Sequence, residues 1–125
     1  MIKLVSGLTI LVLASLLIGG CTLVKQLNIG VAANQPPVIT SLTAEQKTVT
    51  KATTTTIECI ASDPDRDELS YTWSPSGGNI TGKGSTVTWV APNTYGTYTI
   101  TVTVTDGRGG QAIQRIDDIE VTCCP

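Results

Sequence analysis

The sequence predicts an all-β fold, a sandwich of about seven short antiparallel strands set behind an apolar leader helix. Three observations carry that expectation. Beyond Pro37, runs rich in Thr, Val and Ile alternate with Gly, Pro, Asp and Ser turn signals, at about every 8–12 residues. Tyr98, Ile100, Val102 and Val104 alternate strictly with Thr99, Thr101, Thr103 and Thr105, the period of two that turns one side of a strand to water and the other to a core. No stretch after Pro36 carries a helical period, and no longer internal repeat is present.

The 125-residue chain opens with the short positive stretch Met1-Ile2-Lys3. From Leu4 to Ile18 it is apolar, interrupted by Ser6, Gly7, Thr9 and Ser15. A charged start, an apolar stretch and the small pair Gly19-Gly20 form the pattern of a cleaved secretory leader over residues 1–20. The competing reading is a retained membrane helix. Against it, Leu4 to Gly20 falls short of the roughly 20 residues that span a bilayer. Only Lys25 follows, where a basic stop-transfer cluster would stand. Residues 21–35 are small and polar without a clear period, and read as a tether. Thr22 to Gln35 reaches about 45–50 Å when fully extended. Pro36-Pro37 then stiffens the backbone and biases Gln35 to an extended conformation, so the folded domain is expected over 36–125.

Within that domain the first strand is expected from Val38 to Thr43 and the second from Thr53 to Ala61, with Ile57, Cys59 and Ala61 on one face. The third, Glu68 to Ser74, points Leu69, Tyr71 and Trp73 one way and Ser70, Thr72 and Ser74 the other. Ser76-Gly77-Gly78 turns the chain before a short strand near Asn79 to Thr81, and Thr86 to Val90 forms the next. The strictly alternating strand through Tyr98 follows. Gly107-Arg108-Gly109-Gly110 turns into the last strand, Gln111 to Thr122. There Ile113, Ile116, Ile119 and Val121 do not share one parity, which predicts a bulge.

Composition narrows the function. Apolar residues make up 41% of the chain, and aromatic residues 4% with no Phe, so a globular core must rest on Val, Ile and Leu. The net charge is −2, and Lys3 is the only charge among the first twenty residues, so the remainder carries −3. A mildly acidic domain gains nothing from counterion release on phosphate, and no nucleic-acid partner is expected. The chain has no histidine. It therefore lacks the usual general base at neutral pH and the commonest zinc ligand, and the expectation is that it is not an enzyme.

Two resemblances add to this reading. Ile18-Gly19-Gly20-Cys21 resembles the lipobox of bacterial lipoproteins. That resemblance implies a lipidated Cys21 as the mature amino terminus, with acyl chains, palmitate among them, holding the domain outside the cytoplasm. The anchor is then the cell membrane, or the outer membrane where the cell has one. A single acyl chain binds only marginally, so more than one is required. The domain in turn resembles the immunoglobulin-like sandwich. Trp73 follows Cys59 by fourteen residues, Gly96-Thr97-Tyr98-Thr99-Ile100 is similar to a tyrosine corner with Tyr98 as the corner residue, and Ile100 stands where a second cysteine would be. Residues 34–39, 61–73 and 96–110 are similar to PKD-type and cadherin-like domains of bacterial surface proteins, without the WDFGDG-like segment frequent in PKD domains. The resemblance implies a spacer, or a module for protein or carbohydrate contact.

It also implies that the loops carrying Asp63, Asp65 and Asp67 and carrying Asp106 emerge at one end of the sandwich, beside the start of the first strand, where related domains hold calcium. Four carboxylates with carbonyls near Asn34 would suit a hard cation that takes 6–8 oxygens. The plainer reading is that Asp and Pro make good turns, and Arg66 adds a competing positive charge. Trp89 and Tyr95 admit a stacking platform for sugars, yet Trp89 shares parity with Val87, which favours the core, and leaves Tyr95 as the candidate contact. Cys59, Cys123 and Cys124 are an odd number of thiols once Cys21 is set aside. A buried free Cys59 ranks first; pairing of Cys59 with Cys123, a strained Cys123–Cys124 bridge and intermolecular pairing stay open. Asn79-Ile80-Thr81 fits a glycosylation pattern that a bacterial export route leaves unused.

The expected function is a membrane-anchored, non-catalytic interaction or structural module at the cell surface, binding through Asp63 to Glu68 and Gly107 to Gly110. The alternative is an accessory or carbohydrate-binding lipoprotein serving an extracellular enzyme or uptake system. No cofactor is required, calcium being the one candidate.

Overall fold

Thr, Val and Ile are stiff at the first side-chain torsion and fit pleated backbone, and their runs in this chain fold as strands. A computed structural model describes residues 32–124; the leader and Cys21 lie outside the described residues. Eight strands are present among the described residues: β1 (Val38–Ala44), β2 (Thr48–Thr50), β3 (Thr54–Ser62), β4 (Ser70–Pro75), β5 (Asn79–Thr81), β6 (Thr86–Val90), β7 (Gly96–Thr105) and β8 (Gln111–Thr122). They form two four-stranded sheets, ordered β1-β3-β6-β5 and β2-β8-β7-β4. Apart from β2 these are the two layers of a constant-type immunoglobulin sandwich. The all-β, immunoglobulin-like expectation holds.

One strand was not expected. β2 runs parallel to β8, with Thr48, Val49 and Thr50 beside Glu120, Val121 and Thr122. The crossover from β1 is held by Thr55, whose Oγ1 accepts from Gln46 N at 2.9 Å and donates to Gln46 O at 3.1 Å. This lets the chain leave one sheet and join the other within a few residues.

Between the sheets lies an aliphatic core built on Ile57, Ile100, Ile119 and Val102, with Trp89 fully enclosed. Each inner residue comes from the expected parity of its strand, and two bulges adjust that parity. On β8, Ile119 faces Tyr98 and Ile116 faces Ile100, so three steps on β8 match two on β7. The extra residue lies at Asp117-Asp118 and lets Ile116 and Ile119 both point inward, as the broken parity predicted. Ile113 is left outside, 62% exposed and opposite Thr103. On β1 an extra residue at Thr40, between the pairs Ile39–Ala61 and Ser41–Ile60, turns both Ile39 and Leu42 toward the core.

The two indoles are inner anchors. Trp73 donates Nε1 to Gly84 O at 2.9 Å, and Trp89 donates Nε1 to Gly77 O at 2.9 Å. Trp89 is 0% exposed and packs 5.9 Å from the tilted Tyr98 ring. Gly78 follows at φ +76°, and a Cβ there would collide with the Val90 carbonyl, so only glycine lets the turn close over the indole. Tyr98 donates its hydroxyl to Thr94 O at 3.1 Å and lies 2.6 Å from Thr94 Oγ1. That back-bond is the corner geometry the resemblance implied.

Candidate functional site

The end of the sandwich where β3 finishes, β4 begins and β7 turns into β8 collects most of the polar chemistry. Asp63 opens the β3–β4 loop. Its Oδ1 accepts from Asp65 N at 2.8 Å and from Asp67 N at 3.1 Å, while its backbone carbonyl accepts from Arg66 N at 3.1 Å. A carboxylate bonding the backbone two and four residues on is the local turn chemistry of Asp. It winds Asp63, Asp65 and Asp67 so that one oxygen of each lies within 4.8 Å of the others. Arg66 is forced to φ +63°, a left-handed conformation that a side chain disfavours.

Asp106, the fourth carboxylate expected here, stands outside that trio. Among the described residues the close acidic group comprises Asp63, Asp65 and Asp67. Asp106 is 4% exposed and its oxygens are already engaged. Oδ1 accepts from Arg108 N at 2.7 Å and Gly110 N at 2.9 Å, and Oδ2 accepts from Asn34 Nδ2 at 2.7 Å. The Asn34 amide, then the Arg108 and Gly110 backbone N–H groups, hold its carboxyl below the usual carboxylate range, against burial that pushes it up. Asp106 closes the β7–β8 turn and clasps the incoming chain. Gly110 is required beside it, since a Cβ there would collide with Asp106 Oδ2 and lie 2.8 Å from Pro36 Cα.

Residues that the sequence assigned to the tether are bound into this end. Besides the Asn34–Asp106 bond, Gln35 N donates to Asp65 Oδ2 at 2.6 Å. Sequence reasoning placed only carbonyls near Asn34 here; the amide side chain and the Gln35 N–H do the joining. Their signal was the polar pair directly before Pro36-Pro37. Arg108 Nη1 reaches Asp67 at 3.3 Å, an exposed ion pair. Two buried oxygens, Asn34 Oδ1 and Asp63 Oδ2, accept no hydrogen bond.

Tyr95 lies at the opposite end, in the β6–β7 loop, 57% exposed, with Lys51 Nζ 3.6 Å from its ring centroid. Trp89, its suggested companion, is in the core, so the two do not form a joint platform. Cys59 is 1% exposed and packs on Val102 and Val104. Burial pushes its thiol up, which keeps it protonated and inert. Cys123 and Cys124 are exposed after β8, and all three thiols are free. An open groove of about 530 Å³ runs along β4, lined by Leu69, Tyr71, Trp73 and Ile80 with Lys83 at its rim; no sequence signal marked it.

A family model described as a bacterial Ig domain matches residues 34–117. No curated protein and no solved structure matches the chain.

Proposed function

The chain belongs to the bacterial Ig domain family, and on that premise we propose that it is a membrane-anchored, non-catalytic interaction or structural module at the cell surface, held by lipid on Cys21. The observation that carries the reading is the clasp at Asn34 and Gln35. Those two residues are bonded to Asp106 and Asp65, so the chain arrives from Cys21 at the acidic end. An anchored domain then hangs from that end. It offers partners its strand faces and its far loops rather than the loops at Asp63 to Glu68 alone. Likeness to PKD-type and cadherin-like domains, carried by Asn34 to Ile39, Ala61 to Trp73 and Gly96 to Gly110, supports a spacer role in the same place. The deciding measurement is the mass of the mature amino terminus extracted from membranes. Acyl chains on Cys21 are expected, with release of the Cys21→Ala chain from the membrane fraction; an unmodified terminus at Met1 would overturn the anchor.

A second reading concerns the acidic end itself. Asp63, Asp65 and Asp67 fit a calcium ion, supported by the two buried oxygens, Asp63 Oδ2 and Asn34 Oδ1, that accept no hydrogen bond. A hard cation takes such oxygens. Asp106, spent on its own turn, is not among the ligands, and Arg108 on Asp67 must yield. Calcium would stiffen the joint between tether and sandwich. Extracellular calcium modules bind at about 0.1–1 mM, so millimolar calcium adds about 0.4–1.4 kcal/mol and should raise Tm by a few degrees; an unmoved Tm sinks this reading. The carbohydrate alternative rests on exposed Tyr95, and a glycan array that gives the same null result for wild type and Tyr95→Ala removes it.

A further inference from the structure

Cys123 and Cys124 directly follow β8 and are exposed; among the described residues neither has a disulfide partner within reach, and Cys21 carries lipid in the anchor proposed above. Cys59 packs on Val102 and Val104, whose partners on β8 are Gln114 and Ala112. From Gln114 to Cys123 the strand advances by about 30 Å at roughly 3.3 Å per residue. A disulfide needs Cα atoms no more than about 7 Å apart, so the buried thiol and the two exposed ones cannot meet. The adjacent pair fares no better. Cα atoms across a trans peptide are about 3.8 Å apart, short of the roughly 4.4–6.8 Å that a relaxed bridge takes.

The surroundings of these thiols suit a second copy of the same chain. Charge near this end is almost balanced: Glu45, Asp118 and Glu120 stand against Lys47, which pairs with Asp118 at 2.9 Å, and Lys51, which lies over the Tyr95 ring. The opposite end carries Asp63, Asp65, Asp67, Glu68 and Asp106 against Arg66 and Arg108. Two copies approaching through their acidic ends would repel more strongly than through the nearly balanced ends that carry the thiols. Thr122 Oγ1 donates to Cys124 O at 2.7 Å, which keeps the segment folded against the end of β8. Copies anchored in one membrane by tethers of equal length hold these ends at the same height, which raises their effective concentration.

We infer that Cys123 and Cys124 link two copies of this chain through intermolecular disulfide bonds, joined at the ends remote from the acidic loops. The inference rests on the export reading, since cytosolic thiols are kept reduced. The oxidant is a disulfide of the thiol oxidoreductase or glutathione class. A thiolate of one copy attacks a sulfur of that disulfide, forming a mixed disulfide and releasing one oxidant thiolate. A thiolate of the second copy then attacks the protein sulfur and expels the other. Two protein thiols become one disulfide, and two electrons and two protons reduce the oxidant to two thiols. Near a twofold axis each cysteine can also meet its own symmetry mate, so one thiol per copy is enough for the link.

The full chain is produced in cells, quenched with N-ethylmaleimide and run on non-reducing gels, with a parallel arm oxidised by glutathione disulfide after detergent extraction. A band of doubled apparent mass is expected, collapsed by dithiothreitol. It should be kept in Cys123→Ser, Cys124→Ser and Cys59→Ala, and lost in the double variant Cys123→Ser/Cys124→Ser. A single-chain species two mass units light, glutathione caps with no dimer, or a tail disulfide to a different protein would each overturn the inference. Reduced thiols in cells with full dimer formation in the extracted arm would instead refute export and leave the dimer standing.

Discussion

Trp89→Phe separates a core role from a platform role at one position. The indole is 0% exposed, and its Nε1 is the donor to the Gly77 carbonyl at 2.9 Å. Phe removes the donor and leaves a void on the order of 40 Å³, worth about 1 kcal/mol at about 24 cal/mol per Å³. The carbonyl left without its partner costs about 1–3 kcal/mol. Together the loss is about 2–4 kcal/mol, a large share of the roughly 5–15 kcal/mol that such a domain possesses. In a domain of this size each kcal/mol moves Tm by about 4–8 °C, so a fall of at least ~8 °C is expected. Guanidinium unfolding followed by circular dichroism should show a lower midpoint with an unchanged slope. A loss below about 0.5 kcal/mol would mean that the indole does not fill the space between the sheets, since surface substitutions typically stay within that range.

Three further outcomes follow from the same geometry. Tyr98→Phe removes both hydroxyl contacts to Thr94 and should cost about 1–2 kcal/mol, read as a lowered denaturant midpoint; an unchanged midpoint would show that the corner bond adds nothing. Arg66→Gly relieves the left-handed strain at φ +63°, worth about 1–2 kcal/mol, offset by about 0.5–1 kcal/mol of unfolded-state freedom. A Tm unchanged or higher by a few degrees is expected, and a clear fall would refute the strain. Asp106 is held below its ordinary value in the folded chain, so it binds protons more readily when unfolded. Its contribution is full above about pH 4, the unfolded value, and is lost as pH falls through the folded one. Tm should therefore drop in that acid range, and Asp106→Asn should flatten the drop; parallel curves would show that other carboxylates govern it.

The sandwich was legible because its signal is periodic. Thr99 to Val104 alternates without a fault, and the parity break between Ile116 and Ile119 could be read as an extra residue before any coordinates. β2 escaped for the same reason: three residues are too few to show a period, and a parallel partner seventy residues away leaves no local mark. The Thr40 bulge was equally silent, since the apolar residues around it fit either register. At the site, the turn chemistry of Asp63, Asp65 and Asp67 was visible in their spacing. That Asp106 spends its oxygens on Arg108, Gly110 and Asn34 was not, because those bonds depend on how closely Gly110 and Pro36 approach it.

The two ends of the sandwich differ in where their polar groups find partners. At the acidic end nearly every carboxylate is engaged within the chain: Asp63 and Asp106 with loop N–H groups, Asp65 with Gln35, Asp67 with Arg108. A partner binding there must displace bonds already made, so it gains only the difference in strength. The oxygens still idle there are Asp63 Oδ2 and Asn34 Oδ1, and the calcium proposed above would draw on them at the cost of the Arg108–Asp67 pair. At the far end the thiols of Cys123 and Cys124 and the Tyr95 ring, with Lys51 over it, stand exposed. If the domain is anchored as proposed, the bonds of the acidic end lie beside the tether, and the exposed Tyr95 and thiols lie at the end away from it.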